Sequence, residues 1–235
     1  DLARSDVKFL KIAAPFLLAK HELTQAQWNA VMPDNPSNYA AGEDVGPITI
    51  TGRHPVENVS WTMASQFAFR CGHELPTEAQ WEYSCRAGSS TPWSTGADVA
   101  SLVGAANFAD EGARAQMVEG WRFHPGLDDG YANHAPVGRF AANRFGLHDL
   151  HGNVQEWCRE PAMPYTYPVA EGTGERHLPP DQQVADDDLA RLRQVRGGGF
   201  GSLAHSLRSA RRFGASPGTQ QASLGFRPAR ALRTD

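Results

Sequence analysis

The sequence has few cysteines and no long apolar run. No stretch approaches the ~18 uninterrupted apolar residues that a membrane-spanning helix needs, so the sequence predicts no membrane span. The three cysteines are Cys71, Cys85 and Cys158, and their odd number and spacing match no zinc pattern and no disulfide framework. Cys71 and Cys85 could bridge, but both fall in apolar helical settings, where free buried thiols are common. We therefore expect structural cysteines.

The sequence also lacks an initiator methionine and a signal peptide. The chain begins on Asp1, which leaves open that a preceding segment was removed, so the missing signal predicts no compartment. At 235 residues, with 40% hydrophobic and 20% charged residues, the composition predicts one globular domain over residues 1–235.

Acidic residues are almost absent from the C-terminal end of the chain. From Arg191 onward there are nine arginines and one acid, Asp235, which gives a net charge of +8. Since the whole chain carries −4, residues 1–190 carry −12. Such asymmetry can mark an anion-binding surface; the alternative is that these arginines pair with acidic groups of the same domain. Nucleic acid is not an expected partner, because the aromatic–basic interleaving of known modules is missing.

Three capped segments predict helices. Thr24–Gln27 is a capping box, so a helix should run to about Met32. Ser60 begins a second helix, with apolar residues at helical spacing as far as Gly72, and the capping box Thr77–Gln80 opens another.

Short apolar runs predict strands, and long Gly- and Pro-rich stretches predict loops. The predicted strands are Val7–Ile12, Phe16–Leu18, Val56–Val59, Gln194–Phe200 and Leu224–Ala229. Residues 35–54 and 88–143 are predicted loops, the second with the apolar anchors Trp93, Phe108, Trp121 and Phe123. Residues 165–190 resemble an inserted loop with an acidic cluster at Asp186–Asp188. The pattern is typical of an α+β fold with two helices, short twisted strands and extensive irregular loops.

Six segments, taken in order, carry a family signature. They are Leu23–Trp28, His54–Trp61, Leu75–Tyr83, Asn143–Cys158, Arg196–Phe200 and Leu224–Arg227. With them the chain, from about Val7 to Arg230, resembles the formylglycine-generating enzyme (sulfatase-modifying factor) domain. The resemblance implies a C-type-lectin-like fold, which hosts enzymes and pure binders alike, so function must be argued from the site.

The catalytic thiols of that family have no counterpart in the matching stretch. The resemblance implies two cysteines that hold copper just after a Gly-Gly-Ser-Phe strand, and thiolates are the soft ligands that Cu(I) requires. Here Ser202 takes the place of the first cysteine, and the second is lost in a shortened stretch before Arg208. Cys158 belongs to a Glu-Trp-Cys motif that non-catalytic members of the family also carry, so it cannot replace a catalytic thiol. Copper and formylglycine generation are therefore not expected.

The resemblance also implies two calcium sites. Their ligands would be hard oxygen atoms from side chains and backbone carbonyls, as calcium prefers. The first site comprises Asp149, Glu156 and the carbonyls of Gly152 and Val154; the second comprises Asn107, Asp129 and the carbonyls of Phe108 and Tyr131. The alternative is that these carboxylates cap loop amides.

The C-terminal region also resembles the variable proteins of diversity-generating retroelements. Their pattern of Arg-Gly-Gly, Arg-Ser-Ala-x-Arg and Gly-Phe-Arg is similar to Arg196–Gly198, Arg208–Arg212 and Gly225–Arg227. Adenine-directed mutagenesis in that family gives a residue set without Gln, Glu, Lys, Met and Trp, so Gln220 and Gln221 would be fixed by the template. The predicted ligand-binding residues are Phe200, Gly201, Ser202, Leu203, His205, Ser206, Arg211, Phe213, Gly214, Ala215, Ser216, Gly218, Thr219, Ala222 and Ser223.

Two functions remain open from these residues. Large Phe and Arg groups among Ser and Gly favour an adaptable binding surface, and hence a non-catalytic protein that binds an unidentified protein or other macromolecule between residues 200 and 223. The oligomeric state stays open. The alternative is an enzyme of the same family with non-thiol chemistry, a tailoring or maturation oxidase. His205 with Ser202 or Ser206 would then be base and nucleophile, or His148 and His151 would hold a metal.

Overall fold

The computed structural model describes residues 10–116, 122–177 and 191–232. Within these ranges the chain forms eight strands and three α-helices, one at each capped segment rather than the two of the expected fold class. The helices are α1 (Gln25–Asn29), α2 (Trp61–Arg70) and α3 (Glu78–Arg86). The strands are β1 (Phe16–Leu18), β2 (Asp44–Val45), β3 (Ile48–Thr49), β4 (Gln155–Pro161), β5 (Arg193–Arg196), β6 (Phe213–Ala215), β7 (Leu224–Gly225) and β8 (Ala229–Ala231). The α+β class is confirmed.

The three predicted helix starts are confirmed at the level of the hydrogen bond. Thr24 and Thr77 each accept a hydrogen bond from the backbone amide three residues on and complete a capping box, and Ser60 accepts from the amide of Met63. Helix α1 ends at Asn29, short of the predicted Met32. An N-terminal cap fixes where a helix begins, but the position of its last residue depends on other contacts.

A four-stranded sheet of order β6-β5-β4-β7 lies at the centre of the fold. Strand β4 pairs antiparallel with β5, which places Glu156 opposite Arg196, and parallel with β7, which places Glu156 beside Gly225. The sequence did not reveal β4, because three consecutive residues around Trp157 are buried and no in–out alternation results. Strands β1 and β8 form a separate two-stranded sheet, and β2 and β3 form a hairpin inside the predicted loop 35–54.

Four strand predictions need correction. Leu10–Ile12, the described end of the predicted strand Val7–Ile12, is not in a strand. Val56–Val59 is not a strand, because Asn58 has a positive φ of 60° and the segment bonds to two separate parts of the chain, Leu23 and residues 221–224. Gln194–Phe200 is a strand only as far as Arg196, since Gly197 and Gly198 turn the backbone with φ of 95° and 71°. Leu224–Ala229 is divided between β7 and β8.

Several sequence predictions lie outside the described residues. They are Val7–Phe9 of the first predicted strand, Trp121, and residues 178–190 of the predicted inserted loop with Asp186–Asp188. The described part of that loop, residues 165–177, is irregular apart from an isolated bridge between Val169 and Arg176.

The main core lies between α1, α2 and the central sheet. The rings of Trp28 and Phe67 stack with centroids 5.5 Å apart, and Phe226 meets both edge-on. Trp157 of β4 is fully buried beside them. None of the helices in the described ranges has the length and apolar character required to cross a bilayer.

Candidate functional site

The C-terminal segment leaves the central sheet through a tightly fixed turn. Gly152 donates its amide to the Gly197 carbonyl, and Phe200 donates its amide to the Asn153 carbonyl. A Cβ on Gly198 would lie 2.9 Å from the side chain of Leu207, so this position needs glycine for its contact as well as for its φ. The segment that follows therefore starts from a defined point.

Buried apolar side chains fix the first part of the C-terminal segment to the domain. Ala204 and Leu207, in the short 3₁₀ helix Ala204–Leu207, are buried against Trp93, Leu102 and Phe108. The Trp93 indole donates to the Ala204 carbonyl at 3.1 Å. These contacts fix the backbone between residues 200 and 210.

The last part of the segment is held by the start of α2. Trp61 donates its amide to the Pro217 carbonyl, and Asn58 donates its amide to the Gln221 carbonyl. The side chain of Gln220 donates back to the Asn58 carbonyl at 2.7 Å. The turn at residues 216–221 is thus anchored through its backbone and one glutamine.

None of the fifteen predicted ligand-binding residues is buried, although Phe213 and Ala215 also pack against the main core. Five are exposed: His205, Arg211, Gly214, Ser216 and Gly218. Ten are half-buried: Phe200, Gly201, Ser202, Leu203, Ser206, Phe213, Ala215, Thr219, Ala222 and Ser223. Phe213–Ala215 is the edge strand β6, and no described strand pairs with its outer backbone edge. The geometry therefore permits contact with a partner along the whole segment.

Tyr39 joins this surface from a distant part of the sequence. Its ring meets the Phe200 ring at a centroid distance of 6.2 Å. Sequence reasoning missed Tyr39, since nothing in its neighbourhood distinguishes it from the rest of the predicted loop 35–54.

Three of the C-terminal arginines point inward and are paired. Arg227 is fully buried, and its Nε and Nη2 donate to the two carboxylate oxygens of Glu156 at 2.7 and 2.8 Å. Arg196 pairs with Glu82, and Arg212 with Glu78 at 2.5 Å. Burial alone would lower the pKa of Arg227, but Glu156 raises it on balance. For these three residues, pairing within the domain explains the arginine.

Ser202, which the resemblance sets at the position of the first copper-binding thiol, makes a structural contact. Ser202 Oγ accepts a hydrogen bond from the Gly199 amide at 3.1 Å. Cys85 and Cys158 are buried elsewhere, and all three cysteines are free. Burial raises the pKa of Cys85 to about 12 and raises that of Cys158 well above its usual value, so both thiols stay protonated and neither is a nucleophile at neutral pH.

The two histidines considered as metal ligands are engaged separately. His151 is buried, with Nδ1 2.8 Å from the Leu207 carbonyl and Nε2 accepting from the Ser94 amide. His148 contacts the Phe140 carbonyl through Nδ1. In the part of the chain that the structure describes, no three His, Cys, Asp or Glu side chains are grouped to hold a metal ion.

The first predicted calcium site is partly occupied by protein groups. Both oxygens of Glu156 accept from Arg227, and Glu156 Oε2 also accepts from the Trp81 indole. A calcium ion there would lie beside a buried guanidinium, which opposes it. Asp149 Oδ1 is buried without a partner among the described atoms and is the free oxygen at this site.

The second predicted calcium site fits the ion better. Asn107 Oδ1 is buried and has no partner in the described ranges, and a bound ion or water would satisfy it. Asp129 caps two loop amides, those of Phe108 at 2.8 Å and Tyr131 at 2.9 Å, and keeps lone pairs free. Asn107, Asp129 and the carbonyls of Phe108 and Tyr131 would hold calcium here. Calcium stays a prediction at both sites.

A buried ionisable cluster, which the sequence did not reveal, lies under Tyr39 and Phe200. It consists of His54, Glu57 and His134; His134 Nε2 lies 4.0 Å from Glu57 Oε1. Four of its polar atoms, one each on His54 and Glu57 and both ring nitrogens of His134, have no hydrogen-bond partner among the described atoms. Burial raises the pKa of Glu57 to about 7 and lowers that of His134 to about 3.

Two clefts open on other parts of the surface. One, of about 210 Å³, is lined by Ser94, Asn143 and His151 among others. The other, of about 290 Å³, is lined by Ile48, Tyr131 and His134 among others. Neither lining includes a residue of the 200–223 segment, so the predicted binding residues belong to neither cleft.

Comparisons with known proteins agree with this geometry. Residues 5–232 match the model of the sulfatase-modifying factor enzyme 1-like domain. The formylglycine-generating enzyme of Streptomyces coelicolor is 33% identical over 184 residues, which cover 76% of this chain and 54% of that protein. The chain thus spans about half the length of the curated relatives it matches.

Solved structures share the fold over nearly the whole chain. Treponema denticola variable protein 1 has a TM-score of 0.71 at 22% identity and covers 92% of this chain and 84% of its own. PvdO from Pseudomonas aeruginosa has a TM-score of 0.71 at 25% identity and covers 95% of this chain and 83% of its own. With the six motifs in order and the family match over residues 5–232, the chain belongs to the family of the sulfatase-modifying factor enzyme 1-like domain.

Proposed function

We propose that this chain is a non-catalytic ligand-binding protein that presents residues 200–223 to a protein or other macromolecular ligand. The observation that carries the proposal is the division of this segment into two sides. Ala204, Leu207, Ser209 and Leu224 are buried, while every predicted binding residue is exposed or half-buried. Such a division lets the exposed residues change without loss of the inner packing, whereas Phe213 and Ala215 also contact the core.

The chemistry available at this segment favours binding over the family's copper reaction. Ser202 takes the place of the first thiol, and its oxygen is engaged by the Gly199 amide. The enzyme alternative is favoured by the identity to formylglycine-generating enzymes, but it requires a different reactive group. His205 is exposed, and among the described residues its ring makes no hydrogen bond to Ser202 or Ser206.

Retroelement diversification of the same residues is part of the proposal. Glutamine is a residue type that adenine-directed mutagenesis does not produce. Gln220 anchors the turn on the Asn58 carbonyl, which gives this position a structural reason to be constant. Treponema denticola variable protein 1 shares the fold, although at 22% identity it supports only the fold. Diversification predicts a near-identical template repeat and a reverse transcriptase gene beside the gene for this chain. If both are missing, the binding role stands without diversification.

Site-specific photo-crosslinking tests the binding role. A photo-reactive residue at Ser216 or Gly218, both exposed, should yield a crosslinked partner in source cells. The same residue at Leu17, an exposed position of β1, is the matched control and should yield none. Equal crosslinking at Leu17, or turnover of a thiol peptide by the copper-supplied chain, contradicts the proposal.

A further inference from the structure

Four residues of the proposed binding surface form a connected group, which we call the cationic patch: His205, Arg208, Arg211 and Phe213. Arg208 Nε donates to the His205 carbonyl at 2.8 Å, and the Arg211 amide donates to the Arg208 carbonyl at 2.8 Å. The Arg211 guanidinium lies over the Phe213 ring, 4.6 Å from its centroid. His205, Arg208 and Arg211 are exposed, so the patch faces outward.

The charges of the cationic patch have no carboxylate partner in the described part of the domain. Among the described residues, neither Arg208 nor Arg211 forms an ion pair, whereas the adjacent Arg212 pairs with Glu78. Residues 197–226 contain no Asp, Glu or Lys. The Arg196 side chain bonds to the Arg211 carbonyl and forms an ion pair with Glu82. Glu82 also pairs with Arg86, so its charge is already balanced. The patch therefore offers two exposed guanidinium groups to a ligand.

We propose that the cationic patch binds carboxylate groups of an acidic protein segment, a specification that rests on the proposed binding function. Stacking on Phe213 holds the Arg211 guanidinium by one face and leaves its N–H edge open. That edge matches a carboxylate with two parallel hydrogen bonds, which a lysine cannot form. Arg208, held by the His205 carbonyl, supplies a second charge beside it.

Charge distribution favours an acidic peptide over nucleic acid. The first 190 residues carry a net charge of −12, and they make up most of the domain. A long polyanion that extends beyond the cationic patch would meet this negative field and be repelled. A short acidic segment contacts the patch alone.

Fluorescence anisotropy with the full chain and defined peptides tests the proposal. The probe is a labelled peptide of about twelve residues with glutamates spaced by Gly and Ser; the matched peptide carries Gln in place of every Glu. We expect the Glu peptide to bind at about 25 mM NaCl and the Gln peptide to bind at least about tenfold more weakly. Raising NaCl to about 200 mM should weaken the Glu peptide severalfold, because exposed charges are screened.

Variants locate the interaction. The double variant Arg208→Gln/Arg211→Gln should weaken Glu-peptide binding about tenfold or more, and Arg211→Lys should recover only part of it. Arg230→Gln, at an exposed arginine of β8, is the control and should bind within about twofold of the parent. Failure of the Glu peptide to bind, or equal loss in Arg230→Gln, overturns the proposal. Tighter binding of a single-stranded oligonucleotide than of the Glu peptide overturns it in favour of nucleic acid.

The outcome separates this proposal from the binding function beneath it. A partner that crosslinks at Ser216 or Gly218 but binds the double variant as well as the parent leaves the binding function in place and removes the acidic partner. If the Glu peptide binds but no partner is crosslinked at Ser216 or Gly218, the proposed binding function is contradicted, while the affinity of the cationic patch for carboxylates stands.

Discussion

The arginines of the C-terminal region fall into two groups that differ in burial and in partners. Arg196 and Arg227 are fully buried and are paired with carboxylates of α3 and β4. Arg208 and Arg211, between them in the sequence, are exposed and have no ion pair among the described residues. The same residue type thus fixes the scaffold at its inner positions and leaves charge on the surface at its outer positions.

The difference shows what the proposed surface requires of the fold. A buried guanidinium without its carboxylate, or the reverse, is strongly unfavourable, so the inner positions tolerate little change. An exposed arginine that stacks on Phe213 contributes little to folding. Residues 200–223 can therefore serve recognition because the arginines on either side of them stabilise the sheet.

The largest expected effect comes from removing one partner of a buried ion pair. Arg227→Met should lower the free energy of unfolding by about 3–5 kcal/mol, because Glu156 would then be buried without a counter-charge. Arg211→Met should change it by less than about 0.5 kcal/mol. Urea unfolding of the two variants measures both. Equal losses would show that the two groups of arginine do not differ.

A similar contrast holds for two glycines. A Cβ on Gly152, whose φ is +91°, would lie 1.9 Å from the Asn107 carbonyl oxygen, whereas a Cβ on Gly218 would have no atom within 4 Å. Gly152→Ala should destabilise the fold by roughly 3 kcal/mol or more through this clash and the unfavourable φ. Gly218→Ala should stay within about 0.5 kcal/mol of the parent. Thermal unfolding of the two variants decides, and a tolerated Gly152→Ala would be inconsistent with the described turn.

Glu57, in the buried cluster under Tyr39, makes the stability of the fold depend on pH. The pKa of Glu57 is about 7 in the folded chain against an ordinary 4.5, so the stability it contributes is present below pH 4.5 and is lost as pH rises through 7. The groups that face it are His134, Tyr39 and Glu43.

Glu57→Gln removes this titration while keeping the size of the side chain. Between about pH 5 and pH 8 the parent should lose about 2–3 kcal/mol more of unfolding free energy than Glu57→Gln does. Urea titrations at the two pH values test the difference. If the parent and Glu57→Gln lose the same free energy of unfolding between the two pH values, Glu57 is ionised in the folded chain at both pH values.

Calcium should give the smallest shift. If Asn107 and Asp129 bind it, calcium in excess of its Kd should stabilise the chain by about 1–3 kcal/mol, a rise of a few degrees in Tm that EDTA reverses. Asp129→Asn should abolish the rise. An unchanged Tm in the parent would show that these residues hold no calcium.

Local features of the fold were predictable, and long-range ones were not. The caps at Thr24, Ser60 and Thr77 use residues three apart, so the sequence shows them directly. Strand β4 was missed because its burial does not alternate, and Val56–Val59 was wrong because its partners are on two separate segments. Such errors arise where tertiary contacts override local pattern.

At the candidate site, the sequence predicted the segment but not its surroundings. The order of the Arg-Gly-Gly and Gly-Phe-Arg motifs predicts a binding surface between Phe200 and Ser223, and none of its fifteen residues is buried. Which arginines are paired could not be predicted, since Glu82 and Glu156 come from distant parts of the chain. Tyr39 and His134 carried no local signal at all.

A display scan of residues 200–224 tests the central claim most directly. Every position is substituted in turn on a cell-surface display of the full chain, and the level of folded protein is measured with a conformation-sensitive probe. We expect substitutions at His205, Arg211, Ser216 and Gly218 to keep display within about twofold of the parent. Polar substitutions at Ala204, Leu207 and Leu224 should reduce it strongly, because these side chains are buried. Equal loss at the outer and the inner positions would contradict a binding surface carried on an independent scaffold.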